Sequence, residues 1–214
     1  MKGAEAVVSN SKLLGLPVVI KDRIPKSYRN KTLDSKLRTE RTKREARLLN
    51  KAKIAGVPCP TVLEVTKFGI TMTKIRGKRA DLINKKFLRK FLGIGNENGS
   101  SNLQYKNKKS MNLAKLAGKY LAQLHASDII HGDYTPANLI VSSGKSSGLF
   151  VIDFGLGFIS FDIEDKAIDV LTMLKAIPES EQAQKAFLAG YSKYEKAKSV
   201  LARVEEVKKR ARYS

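Results

Sequence analysis

The chain has 214 residues and carries 41 Lys+Arg against 20 Asp+Glu, a formal charge of +21 that points first to a partner bearing phosphates. With 42% hydrophobic residues it can bury one core or two small lobes, which excludes a disordered chain. The longest apolar stretch, from Leu13 to Ile20, is broken by Gly15 and Pro17 and falls short of the ~20 residues that span a bilayer, so a soluble, cytoplasmic protein with no membrane partner is expected. One cysteine, Cys59, and two histidines leave neither an internal disulfide nor a structural zinc set.

Along the chain, Leu16 to Lys21 is a short β-branched run that reads as a strand. Leu33 to Ala55 reads as a long amphipathic helix with Leu33, Leu37, Leu48, Leu49 and Ala52 on its apolar side, stopped by Gly56, Pro58 and Pro60. Thr61 to Thr66 and Ile70 to Ile75 form a hairpin around Lys67-Phe68-Gly69. The chain then turns mainly helical at Arg76-Gly77-Lys78, which sets an expected division into residues 1–76 and 77–214. Ala80 to Leu92 reads as a helix, Gly93 to Gln104 as a glycine-rich loop, and Ser110 to His125 as a buried helix. Two apolar strands follow, Leu139 to Val141 and Leu149 to Ile152. Three helices are expected from Glu164 on, broken near Pro178 and Gly190.

The charge is uneven. Lys21 to Lys53 holds 13 basic and 4 acidic residues, whereas Gln123 to Gln182 holds 3 basic and 9 acidic. The end is basic again, at Lys208-Lys209-Arg210-Ala211-Arg212. Basic segments of this kind suit the phosphates of a partner, because each phosphate neutralised releases counterions.

The chemistry sits in the acidic middle. His131-Gly132-Asp133 is followed by Asn138 and, after a strand pair, by Asp153-Phe154-Gly155. Phosphoryl transfer needs a carboxylate to orient and deprotonate the attacking hydroxyl, and oxygen ligands for the magnesium that accompanies ATP. Asp133, Asn138 and Asp153 supply that set in the order and spacing of a kinase catalytic loop. Upstream, Lys21 ends a strand and Glu45 lies on the next helix, the order in which a kinase lysine and its glutamate partner occur.

These residues resemble protein kinases and, within them, the atypical kinase/ATPase subunit of the KEOPS complex, which makes threonylcarbamoyladenosine in tRNA. The resemblance rests on Gly3-Ala4-Glu5-Ala6, Ile20-Lys21 with Arg23, Pro25-Lys26 and Tyr28-Arg29, and Arg44-Glu45-Ala46. It continues through Ile130-His131-Gly132-Asp133, Ile152-Asp153-Phe154-Gly155-Leu156 and Glu164-Asp165-Lys166-Ala167 with Asp169. It implies an α+β, minimal two-lobed kinase-like fold with a small β-rich N-lobe, one long helix and a helical C-lobe. It also implies ATP and magnesium as cofactors, with Lys21 on the phosphates, Glu45 positioning it, and Gly3, Ala4 and Glu5 covering the nucleotide. Asp133 is then the catalytic aspartate, Asn138 and Asp153 hold magnesium, and Asp169 braces the catalytic loop. Implied partners are the threonylcarbamoyl transferase subunit on the C-lobe, a small regulatory subunit on the N-lobe, and tRNA.

The departures from ordinary protein kinases are as specific. After Gly3 the next glycine is Gly15, so a G-x-G-x-x-G lid is missing, and Gly132 stands where the common loop has arginine. No Ala-Pro-Glu motif follows Asp153. An ATPase governed by partners fits this better than a free signalling kinase. The alternatives are a RIO-type or small-molecule phosphotransferase, which shares the His-Gly-Asp loop, and a non-catalytic RNA-binding scaffold.

Overall fold

The computed structural model of the protein describes residues 6–81, 103–142, 148–177 and 181–210, with side chains given from residue 113 in the helix that begins at Leu103. Gly3, Ala4 and Glu5, most of the expected helix Ala80 to Leu92, and the loop Gly93 to Gln104 up to residue 102 lie outside the described residues.

The first part is a four-stranded antiparallel sheet in the order β1-β2-β4-β3, with β1 at Ala6–Leu13, β2 at Leu16–Arg23, β3 at Val62–Val65 and β4 at Gly69–Thr73. Strand β1, which was not expected, pairs along its whole length with β2. Its Ser9-Asn10-Ser11-Lys12 centre is exposed and gives no apolar alternation to read. The turn between them uses Leu14 at φ 49° and Gly15 at φ 79°, the left-handed pair of a two-residue hairpin that matches strand twist.

Helix α1, Lys31–Ile54, starts where the Asn30 side chain accepts the amides of Thr32 and Leu33 at 2.9 and 3.3 Å, and gives way at Gly56, whose φ of 78° suits glycine. Its buried face differs from the expected leucine stripe. Leu33 is 52% exposed, and the side turned inward carries Asp34, Thr42 and Glu45 before Leu48, Leu49 and Ala52. Leucines at the end of the helix pack into the core, while its first half is fastened by charge.

The remainder is mainly helical: α2 at Leu103–Ala126, α3 at Ile163–Ala176, α4 at Glu181–Tyr191 and α5 at Ala197–Arg210. Two small sheets join these helices to the catalytic segments. One is β5 (Lys78–Arg79), β7 (Leu139–Ser142) and β8 (Gly148–Val151), in the order β5-β7-β8; the other pairs β6 (Ile129–Ile130) with β9 (Phe158–Ile159). Gly190 lies in the last turn of α4, which ends at Tyr191, so the expected break near Gly190 is present. A Cβ there would stand 1.9 Å from the Lys115 carbonyl oxygen, and one on Gly118 would stand 1.9 Å from that of Phe187. Glycine is required because α2 and α4 touch backbone to backbone.

One apolar cluster runs through both parts, from Leu48, Leu49 and Ile70 through Leu121, Leu124 and Tyr134 to Phe154, Val170 and Phe187. Each fully buried Leu or Phe contributes about 1.5–3 kcal/mol. Stability therefore rests on this cluster and not on the exposed β1–β2 hairpin.

Candidate active site

Lys21 and Arg23 lie two residues apart on β2 and so share one face of the sheet. That face meets Glu45, 1% exposed in the middle of α1. The Lys21 ammonium donates to Glu45 Oε1 at 2.7 Å and to Asp153 Oδ1 at 2.7 Å. Arg23 Nη2 donates to Glu45 Oε2 at 2.5 Å. Each Glu45 oxygen therefore has its own cation. Burial works against the Lys21 charge, but Glu45 and Asp153 outweigh it and raise its pKa above the ordinary lysine value.

Asp153 follows β8 with φ 63°, a left-handed conformation that costs a non-glycine residue of order 1–3 kcal/mol and persists when the surroundings fix it. The surroundings do so here. The Gly155 amide donates to Asp153 Oδ1 at 3.2 Å, and the Ile152 amide is held by the Asn138 carbonyl at 3.0 Å. Burial pushes the Asp153 carboxyl up, but the charge and hydrogen bond of Lys21 hold it below the usual range. A Cβ on Gly155 would lie 3.0 Å from Asp153 Oδ1 and 3.3 Å from Lys21 Nζ, so the glycine makes room for the ion pair.

The loop between β6 and β7 carries the other candidate residues. Asn138 donates through Nδ2 to the Asp133 carbonyl and to Asp133 Oδ2, both at 2.8 Å. His131 is fully buried; it accepts the Asp133 amide at Nδ1 (3.3 Å), and its Nε2 faces the Ile152 carbonyl at 3.1 Å and must carry the proton. Burial also pushes its pKa down. With both nitrogens engaged, His131 fixes the loop and has no ring nitrogen left to act as a base.

Asp169, 1% exposed on α3, accepts the amides of His131 at 2.6 Å and Gly132 at 2.9 Å. Gly132 has φ 79°, and a Cβ on it would lie 2.6 Å from the Leu156 carbonyl oxygen. The absent arginine therefore has a local cause: this backbone has no place for a side chain. His125 is also buried, bonding Tyr191 at 2.7 Å and facing Asp169 at 3.4 Å.

Magnesium takes hard oxygen ligands and leaves several positions to water and phosphate. Asn138 and Asp153 are donors of that kind. The Asn138 nitrogen is committed to Asp133, which leaves its oxygen for a cation, and the Asp153 side chain is 50% exposed. Among the described residues no group of three His, Cys, Asp or Glu forms a cage for a metal. The donor set thus fits an ion that arrives with a nucleotide.

A β-sheet lysine paired with a helix glutamate, facing an Asp-Phe-Gly aspartate and an Asp/Asn catalytic loop, defines a protein-kinase-like fold and site. The sequence model of the Lipopolysaccharide kinase (Kdo/WaaP) family matches residues 15–191. The probable serine/threonine-protein kinase BUD32 homolog of Archaeoglobus fulgidus is 34% identical over 200 residues, covering 92% of this chain and 88% of that protein. The chain belongs to this BUD32-type branch of atypical protein kinases. A probable bifunctional tRNA threonylcarbamoyladenosine biosynthesis protein of Methanosarcina acetivorans is 35% identical over 218 residues, covering 99% of this chain but 35% of that protein. The chain thus spans about a third of the length of its bifunctional relatives. Among solved structures, the Rio2 kinase of Chaetomium thermophilum in its ADP/Mg2+-phosphoaspartate complex superimposes with a TM-score of 0.55 at 12% identity, covering 100% of this chain and 70% of that one. At that identity it supports the fold alone.

Lys21, Glu45, Asp153, Asp133 and Asn138 are therefore brought into two linked contact groups, Lys21-Glu45-Asp153 and Asp133-Asn138. Arg23 is not among the site residues expected from the sequence. Its signal was the two-residue spacing from Lys21, which puts both cations on one strand face.

Proposed function

We propose that the chain is a magnesium- and ATP-dependent Ser/Thr kinase and ATPase subunit of the KEOPS type, supporting threonylcarbamoyladenosine formation in tRNA. The observation that carries this reading is Lys21 held at 2.7 Å from both Glu45 and Asp153. Lys21 exchanges Asp153 for the α/β-phosphates of ATP while Glu45 keeps it extended. Asp133 orients the attacking hydroxyl and accepts its proton. Asn138 and Asp153 would hold the magnesium, which would supply charge neutralisation at the phosphates. Asp169 keeps the loop amides fixed, so that Asp133 does not reorient during the reaction.

Three surfaces support the proposed partners. Leu156, Ile159, Phe161 and Ile168 are 51%, 42%, 77% and 48% exposed beside the acidic segment, a face for the transferase subunit on the C-lobe. Leu13, Leu14 and Leu16 at the β1–β2 turn are 39%, 96% and 60% exposed, a face for a small subunit on the N-lobe. Lys43, Arg44, Arg47 and Lys51 are exposed along α1 and suit tRNA phosphates. The carboxylates beyond the Asp-Phe-Gly loop have internal roles: Asp162 caps α3 at the Glu164 amide (2.8 Å), Asp165 accepts from Ser160 (2.6 Å), and Glu164 pairs with Arg210 (3.0 Å). Charge reversal at Asp162 therefore disturbs a helix end as well as any docking.

The test is steady-state ATP hydrolysis by the chain alone, with the transferase subunit, and with that pair plus tRNA. Turnover is expected to rise at each step, because this chain carries no phosphate-reading arginine beside Asp133. Equal rates in all three would show an autonomous site and overturn the reading of a partner-governed ATPase.

A further inference from the structure

We propose that Arg23 is a positioning residue for phosphoryl transfer: it holds Glu45 in place while Lys21 passes from Asp153 to the nucleotide. This rests on the function proposed above and deepens it. In a two-member pair, one lysine must both anchor the glutamate and serve the phosphates. Here the two tasks are divided.

The geometry of the division is explicit. Glu45 gives Oε1 to Lys21 and Oε2 to Arg23, and the side chains of Arg23 and Glu45 are 4% and 1% exposed. The Lys21 ammonium, at 12%, is the more accessible cation and the one that also reaches Asp153. A buried carboxylate left with no cation would face a large desolvation penalty, and an arginine within hydrogen-bonding distance removes it whether or not Lys21 stays. The backbone of Arg23 is itself held on two sides. Its amide donates to the Phe68 carbonyl at 2.9 Å, and its carbonyl accepts Arg38 Nη1 at 3.2 Å. Arg38 is in turn bound to the buried Asp34 at 2.7 Å and stacks over the Phe68 ring at 3.7 Å. The end of β2, the start of α1 and the β3–β4 turn thus meet at Arg23. Its Nη2 would lie 3.5 Å from a Cβ on Gly155, which sets it beside the Asp-Phe-Gly segment. At the other end of α1, Gln123 donates to the Ala55 carbonyl at 3.1 Å, so the helix is tied to α2 as well. Glu45 is therefore presented by a helix held at both ends, and the release of Lys21 leaves it in place.

The test has two arms. In the first, amide hydrogen exchange across residues 42–48 is compared between the wild type and Lys21→Met. Unchanged protection is expected, because Arg23 still holds Glu45. Faster exchange in the variant would show Lys21 to be the anchor and would overturn the proposal. In the second arm, calorimetry measures the affinity for magnesium with a non-hydrolysable ATP analogue. The variants are Arg23→Gln, which keeps a donor facing Glu45, Arg23→Lys, which keeps the charge, and Lys21→Met alone and combined with Arg23→Gln. Arg23→Gln should weaken binding about tenfold, the loss of one charge-assisted contact, with Arg23→Lys recovering most of it. In the Lys21→Met background Arg23→Gln should cost nothing further, since Arg23 acts through Lys21. Full affinity in a folded Arg23→Gln protein, or effects that simply add, would reject the proposal. If Arg23→Gln does not fold, the exchange arm decides. Failure of the wild type to bind the analogue would instead overturn the function proposed above.

Discussion

Lys21 and Asp153 lie 132 residues apart in sequence and form a 2.7 Å ion pair. The pair joins strand β2 of the first sheet to the Asp-Phe-Gly segment after β8. Each member also has a second fastening, Glu45 for Lys21 and the Gly155 amide for Asp153. Under the proposed function, nucleotide binding exchanges this contact for new ones, phosphate oxygens for Lys21 and a cation for Asp153.

The brace beneath the catalytic loop gives a first prediction. Asp169→Leu leaves the amides of His131 and Gly132 without their acceptor, and an unsatisfied buried group costs about 1–3 kcal/mol. Urea unfolding should show a loss of at least that size, while Asp169→Asn, which keeps one carbonyl acceptor, should lose less. Equal stability of wild type and Asp169→Leu would mean that the brace is idle.

A second prediction concerns Gly132. Gly132→Ala forces a side chain into a left-handed residue 2.6 Å from the Leu156 carbonyl oxygen. A shift in the thermal midpoint equivalent to at least ~1–2 kcal/mol is expected. Gly132→Arg, which would recreate the common kinase loop, should be at least as damaging. A neutral Gly132→Ala would show that the loop has slack here.

A third prediction uses the buried lysine of α3. The Lys166 ammonium donates to Asp128 at 2.6 Å and to the Tyr194 hydroxyl at 3.1 Å. Burial lowers its pKa, but these two partners outweigh that and raise it above the ordinary 10.5. Because the folded value lies above the unfolded one, the contribution is complete below pH 10.5 and is lost as pH rises through the folded value. Urea stability of the wild type should therefore fall above that pH more steeply than that of Lys166→Met. At neutral pH Lys166→Met should cost about 2 kcal/mol, the range of a charged hydrogen bond. Parallel pH profiles would contradict the assignment.

Much of the site was legible because its residues are chemically obligatory and local in sequence. Asp133 and Asn138 sit on one short loop, and Asp153 follows an apolar strand whose boundary shows in the sequence. Glu45 was legible from order alone. Its burial was not, because α1 lacks a full apolar stripe and its inner side carries Asp34, Thr42 and Glu45. The fold was legible where periodicity is strong, as in α2, and not in β1, whose polar residues are ordered only by pairing with β2. Arg23 and Gly132 were seen but left without a cause. Their roles depend on partners 22 residues away along the chain for Arg23, and on the Leu156 carbonyl for Gly132. The short strands β6 and β9 have two residues each and depend on each other, so no local pattern announces them.

The most direct test of the central claim is magnesium-dependent ATP hydrolysis by wild type, Lys21→Met and Asp153→Asn under matched conditions. Asparagine accepts the left-handed backbone that Asp153 adopts at φ 63°, so this change removes the charge while sparing the fold. Measurable turnover is expected of the wild type and a loss of at least about 100-fold of both variants, the scale on which preorganised electrostatic groups act, with circular dichroism spectra unchanged. Turnover by folded Lys21→Met or Asp153→Asn equal to that of the wild type would contradict it.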